Sequence, residues 1–203
     1  MKIICVGRNY ADHARELNNE VPSEPVIFLK PDSAILKDGK AFYVPDHLGS
    51  VHHELEIVLR ICKNGKHIAP KFAADYYDQI GLGIDFTARD LQTNLKNKGL
   101  PWELAKGFDG SAVLGDFVPK ASWGDMAQLQ LELRVNGEKR QAGNTRDLLF
   151  SFEAIIAFVS QYFTLRQGDL IYTGTPAGVG PVQPGDKLEG YLNGQKLLSF
   201  EVR

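Results

Sequence analysis

The sequence is poor in the features that mark most specialised protein classes. Two cysteines occur in 203 residues, Cys5 and Cys62. Neither has a metal-ligand partner at short spacing, which excludes a zinc knuckle, and two are too few for a disulfide framework. Both read as buried thiols of a cytoplasmic protein. An excess of one charge is also missing: 23 basic against 25 acidic residues leave a net charge of -2. No basic field therefore argues for nucleic acid, and the His52-His53 pair adds little, because histidine is mostly neutral near pH 7. No apolar run approaches the length of a membrane span, and Met1–Val6 is too short for a signal-peptide core. Linkers, repeats and low-complexity tracts are absent. With 43% hydrophobic and 24% charged residues, the chain has a globular composition and a length that suits one domain, 1–203.

The punctuation is that of a β-rich chain. Met1–Val6 is a first strand, halted at Gly7. Val26–Leu29 is a short strand before Pro31, and Ala41–Val44 another before Pro45; Asp38-Gly39 is a turn. Three Asn-Gly pairs, Asn64-Gly65, Asn136-Gly137 and Asn193-Gly194, predict hairpins. Leu129, Leu131, Leu133 and Val135 alternate with polar residues, so that strand has one face to a core and one to water. Helices are predicted over Ala11–Leu17, Asp90–Lys98 and Ser151–Tyr162, the last with Ser151 as N-cap and Glu153 in its first turn.

One strand departs from this pattern. In Val51-His52-His53-Glu54-Leu55-Glu56-Ile57-Val58-Leu59, Glu54 and Glu56 share a face while Leu55, Ile57 and Leu59 take the other. Same-face neighbours lie about 7 Å apart at Cα, close enough for both carboxylates to converge on one ion. Unscreened they repel; a divalent cation removes that cost. A third carboxylate would complete a Mg²⁺ site. The best candidate is Asp85, which ends the apolar run Ile80–Ile84 beside two glycines. His52, on the same face, is open as a fourth ligand, an outer hydrogen-bond donor or a surface group.

Other polar residues stand out less sharply. His13 and Glu16, three apart in a helical turn, share a face; a carboxylate beside an imidazole fixes its tautomer and raises its basicity, as proton removal from water requires. That short polar helix also suits a mobile lid. Lys106 is a lone cation in an apolar stretch, able to neutralise a carboxylate or an enolate. Arg89 and Gln92 follow Asp85 at a strand-to-helix junction. The glycine-rich run from Tyr172 to Pro181 offers backbone N–H groups to an anion, but no Gly-Lys-Ser or Gly-Lys-Thr follows it, and Gly81-x-Gly83 lacks the third glycine of a dinucleotide fingerprint.

In order, Val6-Gly7-Arg8-Asn9-Tyr10-Ala11-Asp12-His13, Glu24-Pro25-Val26-Ile27-Phe28-Leu29-Lys30-Pro31, His52-His53-Glu54-Leu55-Glu56, Asp85-Phe86-Thr87-Ala88-Arg89-Asp90, Lys98-Gly99-Leu100-Pro101-Trp102, Leu104-Ala105-Lys106 and Thr173-Gly174-Thr175-Pro176-Ala177-Gly178-Val179-Gly180 resemble the fumarylacetoacetate hydrolase family. The likeness spans nearly the whole chain and is strongest to the acylpyruvate hydrolase and oxaloacetate decarboxylase group of its small single-domain branch. It implies a β-rich mixed α/β fold, a β-roll of mixed sheets with a few short helices, in a single catalytic domain that is usually a homodimer. It implies Mg²⁺ or Mn²⁺ on Glu54, Glu56 and Asp85, and a catalytic His13-Glu16 dyad. Lys106 would touch the reacting group, and Arg89, Gln92 and Thr175 would hold substrate oxygens. The expected reaction is hydrolysis of acylpyruvates to pyruvate and a carboxylic acid, with oxaloacetate decarboxylation open to the same site. Isomerisation of unsaturated hydroxy-dioates, or metal-dependent binding of 2-oxo acids without catalysis, are the alternatives.

Overall fold

Two of the three Asn-Gly pairs build hairpins in the computed structural model, which describes residues 1–16, 20–36 and 39–203. In chain order the strands are β1 (Ile3–Gly7), β2 (Val26–Lys30), β3 (Ile35–Leu36), β4 (Val51–His53), β5 (Leu55–Ile61), β6 (Tyr77–Asp85) and β7 (Thr87–Ala88). Then come β8 (Ala112–Pro119), β9 (Gln130–Val135), β10 (Glu138–Asn144), β11 (Leu170–Tyr172), β12 (Gly180–Pro181), β13 (Lys187–Leu192) and β14 (Gln195–Glu201). The helices are α1 (Ala11–Glu16), α2 (Pro70–Ala73), α3 (Arg89–Asn97), α4 (Glu103–Lys106) and α5 (Phe152–Tyr162). Asn136 (φ 54°) with Gly137 (φ 82°) turns β9 into β10, and Asn193 (φ 47°) with Gly194 (φ 79°) turns β13 into β14. Two successive positive φ angles give the twist that matches right-handed strands.

The third pair, Asn64-Gly65, does not make a hairpin. Gly65 instead exchanges backbone hydrogen bonds with Leu165. The residues expected to form the return strand have their donors taken by Ser160: His67 N–H bonds its carbonyl and Ile68 N–H its hydroxyl. The chain then enters α2. Ala41–Val44 is likewise reduced to a single bridge, Phe42 against Val202. The predicted first helix stops at Glu16, and Leu17, like Asp38 of the predicted turn, lies outside the described residues. Cys5 is buried as expected, but Cys62 is only half-buried, because it follows the end of β5.

A seven-stranded sheet, ordered β2-β1-β11-β5-β6-β8-β3, forms the centre. It is mixed: β1 pairs with β11 and β3 with β8 in parallel, the other neighbours antiparallel. A four-stranded antiparallel sheet, β10-β9-β13-β14, packs across it. The alternation in β9 serves this layer: Leu129, Leu131, Leu133 and Val135 join the main core while Gln130 and Arg134 face water. A smaller cluster of Ile3, Cys5, Val58 and Tyr172 lies on the opposite face of β1, β5 and β11. The outcome is a β-rich mixed α/β roll with short flanking helices. Ser151 caps α5 as predicted, its Oγ accepting from Ala154 N–H.

This sheet order gathers one set of strand ends. Because β11 runs parallel to β1 and antiparallel to β5, the ends of β1, β11 and β6 meet the start of β5. The short sheet β12-β4-β7 extends the same rim.

Candidate metal centre and active site

Glu54 lies between β4 and β5, and its carbonyl accepts the N–H of Asp85, the last residue of β6. The β5–β6 register sets Glu56 opposite Gly83. A Cβ at Gly83 would lie 2.7 Å from the Tyr172 ring and 2.6 Å from the Val113 carbonyl. Glycine is therefore required for these layers to close behind the carboxylates. Glu54, Glu56 and Asp85 are all buried, and each offers an oxygen within 4.8 Å of the others. Among the described residues no other histidine, cysteine or carboxylate joins this group.

Cations surround it unevenly. Lys106, from α4, places Nζ 2.8 Å from Glu54 Oε2, 2.7 Å from Asp85 Oδ2 and 2.6 Å from Thr87 Oγ1. Arg89 donates to the other Glu54 oxygen and, at 2.8 Å, to Gln92 Oε1. Lys30 reaches Asp85 Oδ1 at 2.7 Å, and also donates to the carbonyls of Lys106, Phe86 and Ser111. Glu56 has the N–H of Gly174, 2.7 Å away, but among the described residues no such ammonium. The protonation balance follows. Burial works against the Glu54 charge, yet Lys106 and Arg89 hold its carboxyl far below the usual range. Burial, then Asp85 and Glu54, push the Glu56 carboxyl well up. Burial opposes the Lys106 charge too, but Asp85 and Glu54 raise its pKa. An all-oxygen donor set with one undercompensated buried carboxylate fits a hard divalent cation, which would relieve the repulsion at Glu56.

The remaining candidates border the same cavity, of about 100 Å³: His13, Arg89, Gln92, Lys106 and Thr175 line it together with the triad. His13 is buried, with Nδ1 3.3 Å from Glu16 Oε2. Glu16 in turn accepts from Gly178 N–H at 3.1 and 3.2 Å, so the glycine-rich loop anchors a side chain of α1. Gly174 (φ 103°) starts that loop against Asn9, where any Cβ would fall 2.6 Å from the asparagine's own. Asn9 ties the loop down by donating to the Thr173 carbonyl at 2.8 Å.

Sequence reasoning missed two buried side chains that build the site. Lys30, a lone cation ending an apolar strand, carries the same signal that drew attention to Lys106. Gln141 carries none, because it comes from β10 in the second sheet. Its amide donates to Thr175 Oγ1 (2.8 Å) and the Pro176 carbonyl (2.9 Å). Its Oε1 accepts from Leu55 N–H (2.9 Å) and lies 3.0 Å from His53 Nδ1. One amide thus holds the Thr175 loop against the acidic strand.

His52 is outside the ligand group. Its Nε2 lies 3.1 Å from Ser50 Oγ, and burial, then Arg89, pull its pKa down to about 4. Neutral His52 therefore contributes stability that is fully present above the unfolded value of about 6.5 and is lost as pH falls through about 4. Thermal melts of His52→Gln should decline less steeply than wild type between these pH values. Parallel declines would place the acid sensitivity elsewhere.

The sequence profile of the fumarylacetoacetate (FAA) hydrolase C-terminal family matches residues 2–203. The chain belongs to this family. It is 46% identical over 200 residues to the bovine mitochondrial oxaloacetate tautomerase FAHD1, covering 98% of this chain and 90% of that one. A Yersinia pestis family member aligns with TM-score 0.96 and 42% identity over 100% of this chain and 93% of its own. Fumarylpyruvate hydrolase from Pseudomonas aeruginosa, solved with Mn²⁺ and pyruvate, aligns with TM-score 0.94 and 37% identity, covering 100% and 89%. Kinship and the buried triad make the chain an enzyme with a divalent-cation site. The cytoplasmic location expected from its cysteines is overturned, since the bovine, mouse and human relatives are mitochondrial. Two cysteines exclude a disulfide framework and carry no information that separates one compartment from another.

Proposed function

We propose that this metal-dependent 2-oxo acid enzyme interconverts the keto and enol forms of oxaloacetate. His13, backed by Glu16, faces the same small cavity as the triad, and that juxtaposition carries the reading. The bovine relative, an oxaloacetate tautomerase, supports it. Bound at Glu54, Glu56 and Asp85, Mg²⁺ or Mn²⁺ would supply Lewis acidity toward the 2-oxo group and its neighbouring carboxylate.

The chain's own residues do the rest. Gln92 and Arg89 orient the carboxylate oxygens. Thr175 Oγ1 accepts from Gln141, which leaves its hydroxyl hydrogen to donate to the substrate. With Nδ1 directed to Glu16, His13 takes the C3 proton through Nε2. The C–H pair becomes the C2–C3 double bond, and the carbonyl pair moves onto the 2-oxygen, where the Lys106 ammonium offsets the charge. Protonation of that oxygen completes the enol; the reverse order restores the ketone.

The same dyad, backed by a carboxylate, also suits deprotonation of water. Acylpyruvate hydrolysis to pyruvate and a carboxylic acid is therefore the second reading, with oxaloacetate decarboxylation, which needs no base, beside it. Ultraviolet absorbance of enol-oxaloacetate should fall faster with the Mg²⁺-loaded enzyme than with buffer, and the acceleration should vanish with EDTA. No acceleration, or one indifferent to EDTA, would overturn the proposal.

A further inference from the structure

Every ammonium hydrogen of Lys106 is already engaged. An ammonium carries three N–H groups, and those of Lys106 meet Glu54 Oε2, Asp85 Oδ2 and Thr87 Oγ1 at 2.8, 2.7 and 2.6 Å. Two of these acceptors belong to the carboxylates that fit a metal ion; the third is neutral. We propose that Thr87 is the positioning residue for Lys106. Once Glu54 and Asp85 are given over to a metal ion, the Thr87 hydroxyl retains the ammonium at the cavity, and the two released N–H groups turn to a substrate oxyanion.

The carboxylates are arranged to let the ammonium go. Arg89 donates to Glu54 Oε1, and Lys30 meets Asp85 Oδ1 at 2.7 Å. Each carboxylate thus keeps a cation on its other oxygen, and only the two oxygens joined through Lys106 change partners.

Thr87 is arranged to stay. It is fully buried, and it pairs with His52 where β7 meets β4, in a different sheet from β5 and β6. A backbone carbonyl can only accept, so the Thr87 O–H donates to the Asp85 carbonyl at 3.3 Å and turns a lone pair to Lys106 Nζ. That polarity suits an ammonium and depends on neither carboxylate side chain. The base of the lysine is pinned as well: its carbonyl accepts from Ser111 Oγ at 2.8 Å and from Lys30. With both ends held, metal binding changes the ammonium's partners and not its place. Without the hydroxyl, the cation would repel an ammonium whose remaining acceptors are the metal's own ligands. The inference rests on Lys106 meeting an oxyanion, as in the proposed reaction, but not on which reaction forms that oxyanion.

Oxalate tests it, because it has the charge and planarity of a 2-oxo acid enolate and no proton to move. Calorimetry on the Mg²⁺-loaded enzyme should show oxalate binding about tenfold more weakly to Thr87→Val, the value of a hydrogen bond to a charged group. Mg²⁺ affinity should stay close to wild type, since Thr87 offers the metal no ligand. Thr87→Ser should restore oxalate binding, and in a Lys106→Met background Thr87→Val should cost nothing further. Thr87→Ala gives the same comparison should valine prevent folding. Wild-type oxalate affinity in the valine or alanine variant, no rescue by serine, or an undiminished loss in the Lys106→Met background would overturn the tether. The full pattern in an enzyme inactive on enol-oxaloacetate would sustain the tether and reject the proposed reaction. Wild-type oxalate affinity in Thr87→Val, beside ordinary wild-type activity on enol-oxaloacetate, would do the reverse.

Discussion

Replacing His13 with alanine is expected to slow oxaloacetate tautomerisation by about 10²–10⁴-fold, the contribution of a positioned general base. Acylpyruvate hydrolysis, where the same imidazole would activate water, should fall by a similar factor. Decarboxylation of oxaloacetate should fall far less, because the departing CO₂ leaves the electron pair behind and no proton has to be removed first. Glu16→Gln should give a milder version of this split. His13 would keep a hydrogen-bonding neighbour but lose the anionic partner now 3.3 Å from Nδ1. Steady-state rates on all three reactions at saturating Mg²⁺ check this, with metal affinity measured separately. Equal losses on all three would make His13 a binding or closure residue, and no loss on any would remove it from the mechanism.

Lys106→Met should act in opposite directions on metal affinity and turnover. The ammonium sits on Glu54 Oε2 and Asp85 Oδ2, two of the carboxylates that would hold the cation, so the two positive charges compete for them. Methionine keeps an apolar stem near Phe28, whose ring lies 5.0 Å from the ammonium, and removes the competitor. Mg²⁺ should bind more tightly to the variant. Without metal, the variant should lose about 3–5 kcal/mol of stability, the cost of breaking a buried ion pair, and added Mg²⁺ should restore much of it. Turnover should still drop by about 10²–10³-fold, since nothing replaces the ammonium at the developing oxyanion. Melts with and without Mg²⁺, calorimetric titration and kinetics follow the three effects. Weaker metal binding in the variant would show that lysine and metal do not share these oxygens.

Local spacing alone determined a good part of the molecule. Glu54 and Glu56 share a face because a strand repeats every two residues, and His13 meets Glu16 because a helical turn brings i and i+3 together; neither needs a distant partner. The same holds for the Asn136-Gly137 and Asn193-Gly194 turns, whose positive φ angles asparagine and glycine accept at little cost. Asn64-Gly65 carries the same local signal and fails, because Ser160, far along the chain, takes the hydrogen bonds that a return strand would need. Tertiary structure decided everything that depends on sheet order. Asp85 reaches Glu54 because β6 lies beside β5, and the Thr175 loop arrives because β11 inserts between β1 and β5. Lys30 and Gln141 belong to the site for the same reason: one comes from the sheet's edge strand, the other from a second sheet, and no periodicity in a single chain encodes which strands will exchange hydrogen bonds.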